Sequence, residues 1–416
     1  MQQRIIQVEE RPPLLQAIPL SFQHLFAMFG ATVLVPFLLK IDPSTCLMVN
    51  GFGTLLYIFL TKGKIPSYLG SSFAFISPMM VTIGLYGYSA AQSGTIVFGL
   101  SFIIIALIIK MAGMKWIHVI FPPAAMGSIA AVIGLELAPV AASMAGLTAK
   151  TPDPKVILLS LSTLAVTILL SVCARGFLSV IPILLGVIFG YIMAFFMGMV
   201  DLAAVAAASW FKLPTFYKPE FNMQAVLITL PATLVVLAEH ISHLVVTGNI
   251  VERDLMKNPG LDKSLLADGT SNIISGLLGA TPNTTYGENI GVMAITKVYS
   301  VWVIGGAAMF AILFSFVGKL SELIKGIPVP VMGGICLLLF GVIAASGIRM
   351  LVDSKIDYNN RQNLILTAVV LSVGVSGAKI TIGSVDMQGM ALASLVAIVI
   401  SLVFEIVRKI QGEDKI

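Results

Sequence analysis

Runs of about twenty apolar residues, separated by short polar connectors, recur along the whole chain at the length a helix needs to cross a hydrocarbon layer. Twelve such runs centre near Phe29, Leu55, Ile103, Ile129, Val166, Gly186, Leu230, Ile274, Ala308, Leu338, Val370 and Val396. Two more are short and broken, one containing Phe73 to Pro78 and the other Tyr286 to Ala294. Counting both predicts an all-α polytopic membrane protein with fourteen transmembrane segments, an even number that returns the two termini to one side.

The second broken run is the most polar part of the apolar pattern. The stretch TPNTTYGENIGVMAITK, Thr281 to Lys297, sets Glu288 beside Asn289 at membrane depth. Hydrocarbon cannot satisfy free backbone or side-chain polar groups, so such a run must face protein or a water-filled cavity. An acid in that position is a functional candidate by default.

Composition agrees with the pattern. Of 416 residues, 57% are hydrophobic and 11% charged, against roughly a quarter charged in a soluble chain, and nothing is left over for a large soluble domain. The first dozen residues, MQQRIIQVEERP, are polar and mixed in charge rather than a basic stub before an apolar core, so the first span itself directs insertion. With the N-terminus inside, Lys40, Lys150, Lys155, Lys212, Lys218, Lys319, Lys325 and Lys379 fall outside, and the other 17 of the 25 basic residues, Arg4 and Lys415 among them, fall inside. The positive-inside rule then puts both termini in the cytoplasm, the chain being multi-pass in a cell (inner) membrane. The net charge of +5 follows from that topology and calls for no nucleic-acid partner. Cys46, Cys173 and Cys336 are odd in number, far apart and in apolar settings, which reads as buried thiols rather than a disulfide framework or a metal site.

The two halves echo each other. Pro122, Met126, Gly127 and Ile129 match Pro328, Met332, Gly333 and Ile335 at an offset of 206, and Gln23-His24 matches Glu239-His240 at an offset of 216. Carried forward, the second offset sets Gly70-Ser71-Ser72-Phe73 against Tyr286-Gly287-Glu288-Asn289, the two broken spans, 3 and 10. An offset of about seven spans is odd, so the second half enters from the other face and the chain reads as a 7+7 inverted repeat. Both broken spans are rich in Ser, Thr, Asn and aromatic residues, which predicts short extended segments that pair across the repeat and run into half-helices.

The candidate chemistry lies on a few residues inside the apolar runs. Glu239 and His243 are four residues apart in VVLAEHISHLVV and project from one helix face, a spacing at which a carboxyl and an imidazole can share a proton. The alternative is an interfacial pair reaching for water. Glu288, flanked by Tyr286, Gly287, Asn289 and Gly291, reads as an acid on backbone opened for a small molecule, with a structural ion pair as the alternative. A planar heterocycle with an imide edge suits such an acid, and Phe73 in the opposite broken span could stack on its ring. Gln23 and His24 either position the broken segment or serve as packing glue. Asp268, at the head of span 9, either caps a helix or braces the site. Glu136 reads as a boundary residue reaching for water. Titratable Glu and His without an oxygen cage for a hard cation point to a proton as the coupling ion, with no other cofactor. The order of Glu239-His240 and His243 does not give the HExxH of a metallohydrolase, so an enzyme is not indicated.

The motif Glu288-Asn289-Ile290-Gly291, followed by Thr296-Lys297, resembles the signature of the nucleobase–ascorbate transporter family. With Gln23-His24, Glu239, His243 and Asp268, the likeness extends over essentially the whole chain. The resemblance implies a core domain of spans 1–4 and 8–11 (1–112 and 223–317), a gate domain of spans 5–7 and 12–14 (113–222 and 318–416), antiparallel strands in spans 3 and 10, and a homodimer in membrane lipid. It also implies that Glu239 and Glu288 hydrogen-bond the substrate, with Phe73, Gly287 and Tyr286 around it, and that His243 joins Glu239 in proton coupling. Family members carrying xanthine or urate tend to have Gln where this chain has Glu288, so the resemblance implies uracil as substrate, a purine being the alternative. A pocket-facing position that looks like Tyr in relatives is Phe340 here, which puts any hydroxyl contact there in question.

Overall fold

The computed structural model describes residues 5–382 and 385–411; Arg4 and Lys415, counted above among the inner charges, lie outside them. The chain opens with α1 (Leu14–Ala27) and α2 (Phe29–Leu39), which together form one apolar stretch, then α3 (Pro43–Leu60). After β1 (Leu69–Ser71) a single 3-10 turn over Phe73–Phe75 leads into α4 (Ile76–Tyr86) and α5 (Tyr88–Ala112). Next come α6 (Lys115–Ile120), α7 (Pro123–Met144), α8 (Pro154–Cys173), α9 (Pro182–Phe196) and α10 (Ala203–Ala207). The second half runs α11 (Met223–Thr229), α12 (Ala232–Val251), α13 (Leu261–Leu278), β2 (Asn283–Thr285), α14 (Gly287–Thr296) and α15 (Val301–Ser315). It closes with α16 (Gly318–Lys325), α17 (Val329–Asp353), α18 (Arg361–Val375), the hairpin β3 (Lys379–Ile382) and β4 (Val385–Gln388), and α19 (Gly389–Ile410).

Among the described residues, eight helical stretches are long and apolar enough to cross a membrane, so the chain is a mostly helical, multi-pass membrane protein. Helices α9, α15 and α18, read as full spans in the sequence, have 15 residues each, about 22 Å at 1.5 Å per residue. Capping fixes several starts. Asp42, Asp153, Asn222, Asn360 and Ser300 each accept a hydrogen bond from a backbone N–H in the first turn of the helix they precede, which satisfies donors that helices leave free.

Lipid supplies no hydrophobic drive between helices, so small residues that let backbones touch decide which helices pair. A Cβ on Gly99 of α5 would lie 2.5 Å from Gly269 O of α13, and one on Gly134 of α7 would lie 2.2 Å from Phe340 O of α17. These two contacts tie one half of the chain to the other, α5 to α13 and α7 to α17.

β1 and β2, from the two broken spans, pair antiparallel with Leu69 opposite Thr285, Gly70 opposite Thr284 and Ser71 opposite Asn283. Residues at the same place in the two strands therefore differ by 214, not the 216 taken from Gln23-His24 and Glu239-His240. At that offset Phe73 falls against Gly287 rather than Asn289, because the chain from His240 to the start of β2 is two residues shorter than the chain from His24 to the start of β1. The β3–β4 hairpin is a second two-stranded sheet that the apolar pattern did not predict. Cys46 and Cys336 are buried, but Cys173, at the end of α8, is exposed.

Candidate functional site

Two strands of three residues each survive at membrane depth because side chains satisfy their outer edges. Leu69 N–H donates to Thr54 Oγ1 of α3 at 2.9 Å. On the far edge, Asn283 N–H donates to Asn272 Oδ1 of α13 at 2.7 Å, and Asn272 Nδ2 returns a bond to Asn283 O at 2.8 Å. With these edge groups paired, irregular backbone is tolerated where it borders a cavity.

Asp268 belongs to this bracing. Helix α13 begins at Leu261, so Asp268 lies two turns inside it and caps nothing. Its Oδ1 accepts from Asn272 Nδ2 at 2.9 Å and its Oδ2 from Thr284 Oγ1 at 3.1 Å. His240 Nδ1 stands 2.8 Å from Oδ2 of the same carboxylate, both side chains being fully buried. His240 Nε2 reaches Ser264 Oγ at 2.7 Å, which in turn meets Tyr57 OH at 2.6 Å. A buried acid is tolerated only with such partners, and these tie α12 and α13 to β2.

Helix α1 grips α14 through His24. Asn289 donates its amide to Pro66 O at 3.3 Å, which leaves Oδ1 to accept from His24 Nδ1 at 2.7 Å. Gln23 is buried beside His24 on α1. Neither lines the cavity described next.

A cavity of about 260 Å³ opens where the strands end. Ser72, Phe73, Glu239, His243, Tyr286 and Glu288 form one wall, with Thr284 and Gly287 between them. Ala130 and Ile133 of α7 and Val342, Ile343, Ser346 and Met350 of α17 form the other. The Phe73 and Tyr286 rings are 6.0 Å apart and inclined at 47°, presenting aromatic surface to a flat ligand. Phe340 is fully buried and meets Phe73 edge-on at 6.5 Å; it packs behind that ring and is not in the cavity wall.

His243 is held by β2 rather than by Glu239. Its Nδ1 lies 2.9 Å from Thr285 O, and because a carbonyl only accepts, Nδ1 carries the proton. Nε2 then keeps its lone pair on the side of Gly287, where an added Cβ would stand 3.2 Å away. Glu239 Oε2, Ser72 Oγ and Tyr286 OH have no hydrogen-bond partner among the described residues. Buried polar atoms in native proteins find partners, and three of them on one small cavity mark where a polar ligand or water belongs. Glu288 sits in the first turn of α14, where backbone N–H groups lack intrahelical acceptors and the helix dipole favours an anion.

The structure thus collects Glu239, Glu288, His243, Phe73, Tyr286 and Gly287 on one cavity and sets Gln23, His24, Asn289, Asp268 and Phe340 behind it. The cavity also takes in Ser72, Thr284, Ser346, Met350, Ala130 and Ile133, none of them a candidate from the sequence. Of these, Ser72 and Thr284 had a signal, since they flank the aromatic residues of the two broken spans. The apolar ones had none.

The family model Xan_ur_permease, described as "Permease family", matches residues 15–383. The chain belongs to the Permease family. Within the family, "Uracil permease" of Escherichia coli (strain K12) is 61% identical over 417 residues, covering 100% of this chain and 97% of that protein. "Uracil permease" of Bacillus caldolyticus is 48% identical over 414 residues, covering 97% of this chain and 95% of the relative. Membership makes the chain a transport protein rather than an enzyme. Among solved structures, murine Slc26a9, an anion transporter in the inward-facing state, superposes with a TM-score of 0.71 at 11% identity, over 96% of this chain and 69% of that one. The transmembrane domain of the cyanobacterial bicarbonate transporter BicA gives 0.61 at 13% identity, over 97% and 99%. These last two show that the permease shares their fold.

Proposed function

We propose that this permease imports uracil together with an inward-moving proton, by alternating access. The observation that carries the reading is the cavity at the strand ends, where two carboxyl groups, a histidine lone pair and two aromatic rings converge. An imide edge offers N–H donors to carboxylates and carbonyl oxygens to N–H groups, and the first turn of α14 supplies both Glu288 and free backbone N–H. About 260 Å³ is small for a binding site and suits a single heterocyclic ring. The uracil permeases that match over the whole chain support the same substrate.

The architecture proposed with it is fourteen crossings in a 7+7 inverted repeat, with both termini cytoplasmic. Helices equivalent by position support it: α3 and α13 have 18 residues each, and both halves contain a three-residue strand followed by a half-helix. A core domain of 1–112 and 223–317 would carry the strands, Glu239 and Glu288, and a gate domain of 113–222 and 318–416 would supply the α7 and α17 wall. The proposed homodimer rests on the family resemblance.

In the cycle, a proton reaches Glu239 or Nε2 of His243 from outside, uracil binds between the strand ends and α7–α17, and the core moves against the gate to release both inside. A potential of roughly 150 mV supplies about 3.5 kcal/mol per proton, enough for a gradient of a few hundredfold. Equilibrium binding of radiolabelled uracil to the purified protein tests the substrate assignment. Xanthine should fail to compete and Glu288→Gln should weaken binding at least tenfold; displacement by xanthine, or unchanged affinity in the variant, would overturn it.

A further inference from the structure

Glu136 is a membrane-depth acid that the substrate cavity does not use. On α7 it stands one to two turns beyond Ala130 and Ile133, roughly 5–9 Å along the axis, and there it faces a second cavity of about 400 Å³. It does not reach for water as the sequence reading expected. Oε1 accepts from Ser77 Oγ, in the first turn of α4, at 2.8 Å. Oε2 accepts from Met390 N–H, at the start of α19, at 2.8 Å. The approach to α19 is close enough that a Cβ on Gly389 would lie 2.2 Å from the carboxyl carbon. The carboxylate therefore holds α4 to α7 and α19 with both oxygens engaged.

The repeat gives this contact a counterpart, and the comparison rests on the inverted-repeat reading proposed above. At the strand offset of 214, Ser77 corresponds to Gly291 of α14, and at the offset of 206, Glu136 corresponds to Val342 of α17. That second pair is apart. Gly291 is exposed and a Cβ there would meet nothing within 4 Å, while Val342 is 51% exposed and lines the substrate cavity. One face of the molecule is joined where the other is open.

We propose that the Ser77–Glu136 hydrogen bond is a latch between core and gate that closes the outer face, and that it must part before substrate enters from outside. The carboxylate keeps its bond to α19 when α4 leaves, so Glu136 stays with the gate and Ser77 travels with the core.

The test reads accessibility. In a Cys173→Ser background, which removes the exposed native thiol, Val81→Cys places a thiol in the second cavity and Met350→Cys one in the substrate cavity. A membrane-impermeant thiol reagent should label Val81→Cys slowly in right-side-out vesicles. Adding Ser77→Ala or Glu136→Ala should speed it roughly tenfold, about 1.4 kcal/mol in the closed–open equilibrium, and should slow labelling of Met350→Cys in inside-out vesicles. Ser77→Ala removes one hydroxyl and leaves the carboxylate bonded to α19, so it keeps the test sound if Glu136→Ala unfolds. Outside labelling that ignores both substitutions would overturn the latch alone. Labelling of Val81→Cys only in inside-out vesicles would overturn the assignment of the latch to the outer face, and with it the cytoplasmic placement of the termini.

Discussion

His243 donates its Nδ1–H to the carbonyl oxygen of Thr285 at 2.9 Å, which fixes the imidazole to the end of β2 with Nε2 turned to the substrate cavity. One bond thus separates two jobs of the same ring. Nδ1 positions it, and Nε2 is left to take a proton.

His243→Asn should divide those jobs. The Asn amide nitrogen can occupy the place of Nδ1 and donate to Thr285 O, but the side chain cannot be protonated. Uracil binding is expected to stay within a few fold of the parent while uptake driven by a pH gradient falls at least tenfold. Binding and gradient-driven uptake measured on one preparation check this; parallel loss of both would show that the ring matters only for binding or folding.

Gly70→Ala should act on Tyr286. A Cβ at Gly70 would lie 2.7 Å from a Tyr286 ring carbon, so the ring must swing into the cavity. The expected result is a KM raised several fold with Vmax within twofold, since the acids and His243 are untouched. Uptake rates over a range of uracil concentrations separate the two constants.

Asp42 should govern stability rather than transport. It lies in the connector between α2 and α3, where it accepts from Thr215 Oγ1 and Ser321 Oγ at 2.8 Å each and from Ser44 N–H at 3.1 Å, with Lys325 Nζ 3.6 Å away. Burial pushes its carboxyl up, but these hydrogen bonds and the Lys325 charge outweigh burial and hold it below the ordinary 3.8. A carboxyl depressed by folding adds stability above its unfolded pKa and loses it as pH falls through the lower folded value. Asp42→Ala should cost about 2 kcal/mol at neutral pH, and the deficit should shrink below about pH 4. Thermal unfolding in detergent across pH measures both.

How far the sequence reached depends on whether a residue's role is local. Glu239 and Glu288 stood out because an acid in an apolar run has few structural excuses, and the broken spans were visible as Thr, Asn and Gly where helix formers should be. The spacing of Glu239 and His243 correctly gives one helix face, yet the imidazole is oriented by a carbonyl 42 residues away that no spacing encodes. Asp268 reads in the sequence as the head of a span, but α13 starts two turns earlier, at Leu261. Met350 and Ile133 were silent for a different reason. An apolar side chain facing a cavity looks the same in sequence as one facing lipid.

The most direct test of the account is uptake of radiolabelled uracil into proteoliposomes at imposed pH gradients, with Glu239→Gln alongside. Accumulation should follow an inward proton gradient, collapse when the gradient is dissipated, need no sodium, and be lost or uncoupled in the variant. Uptake driven by sodium alone, or equal accumulation with and without the proton gradient, would contradict it.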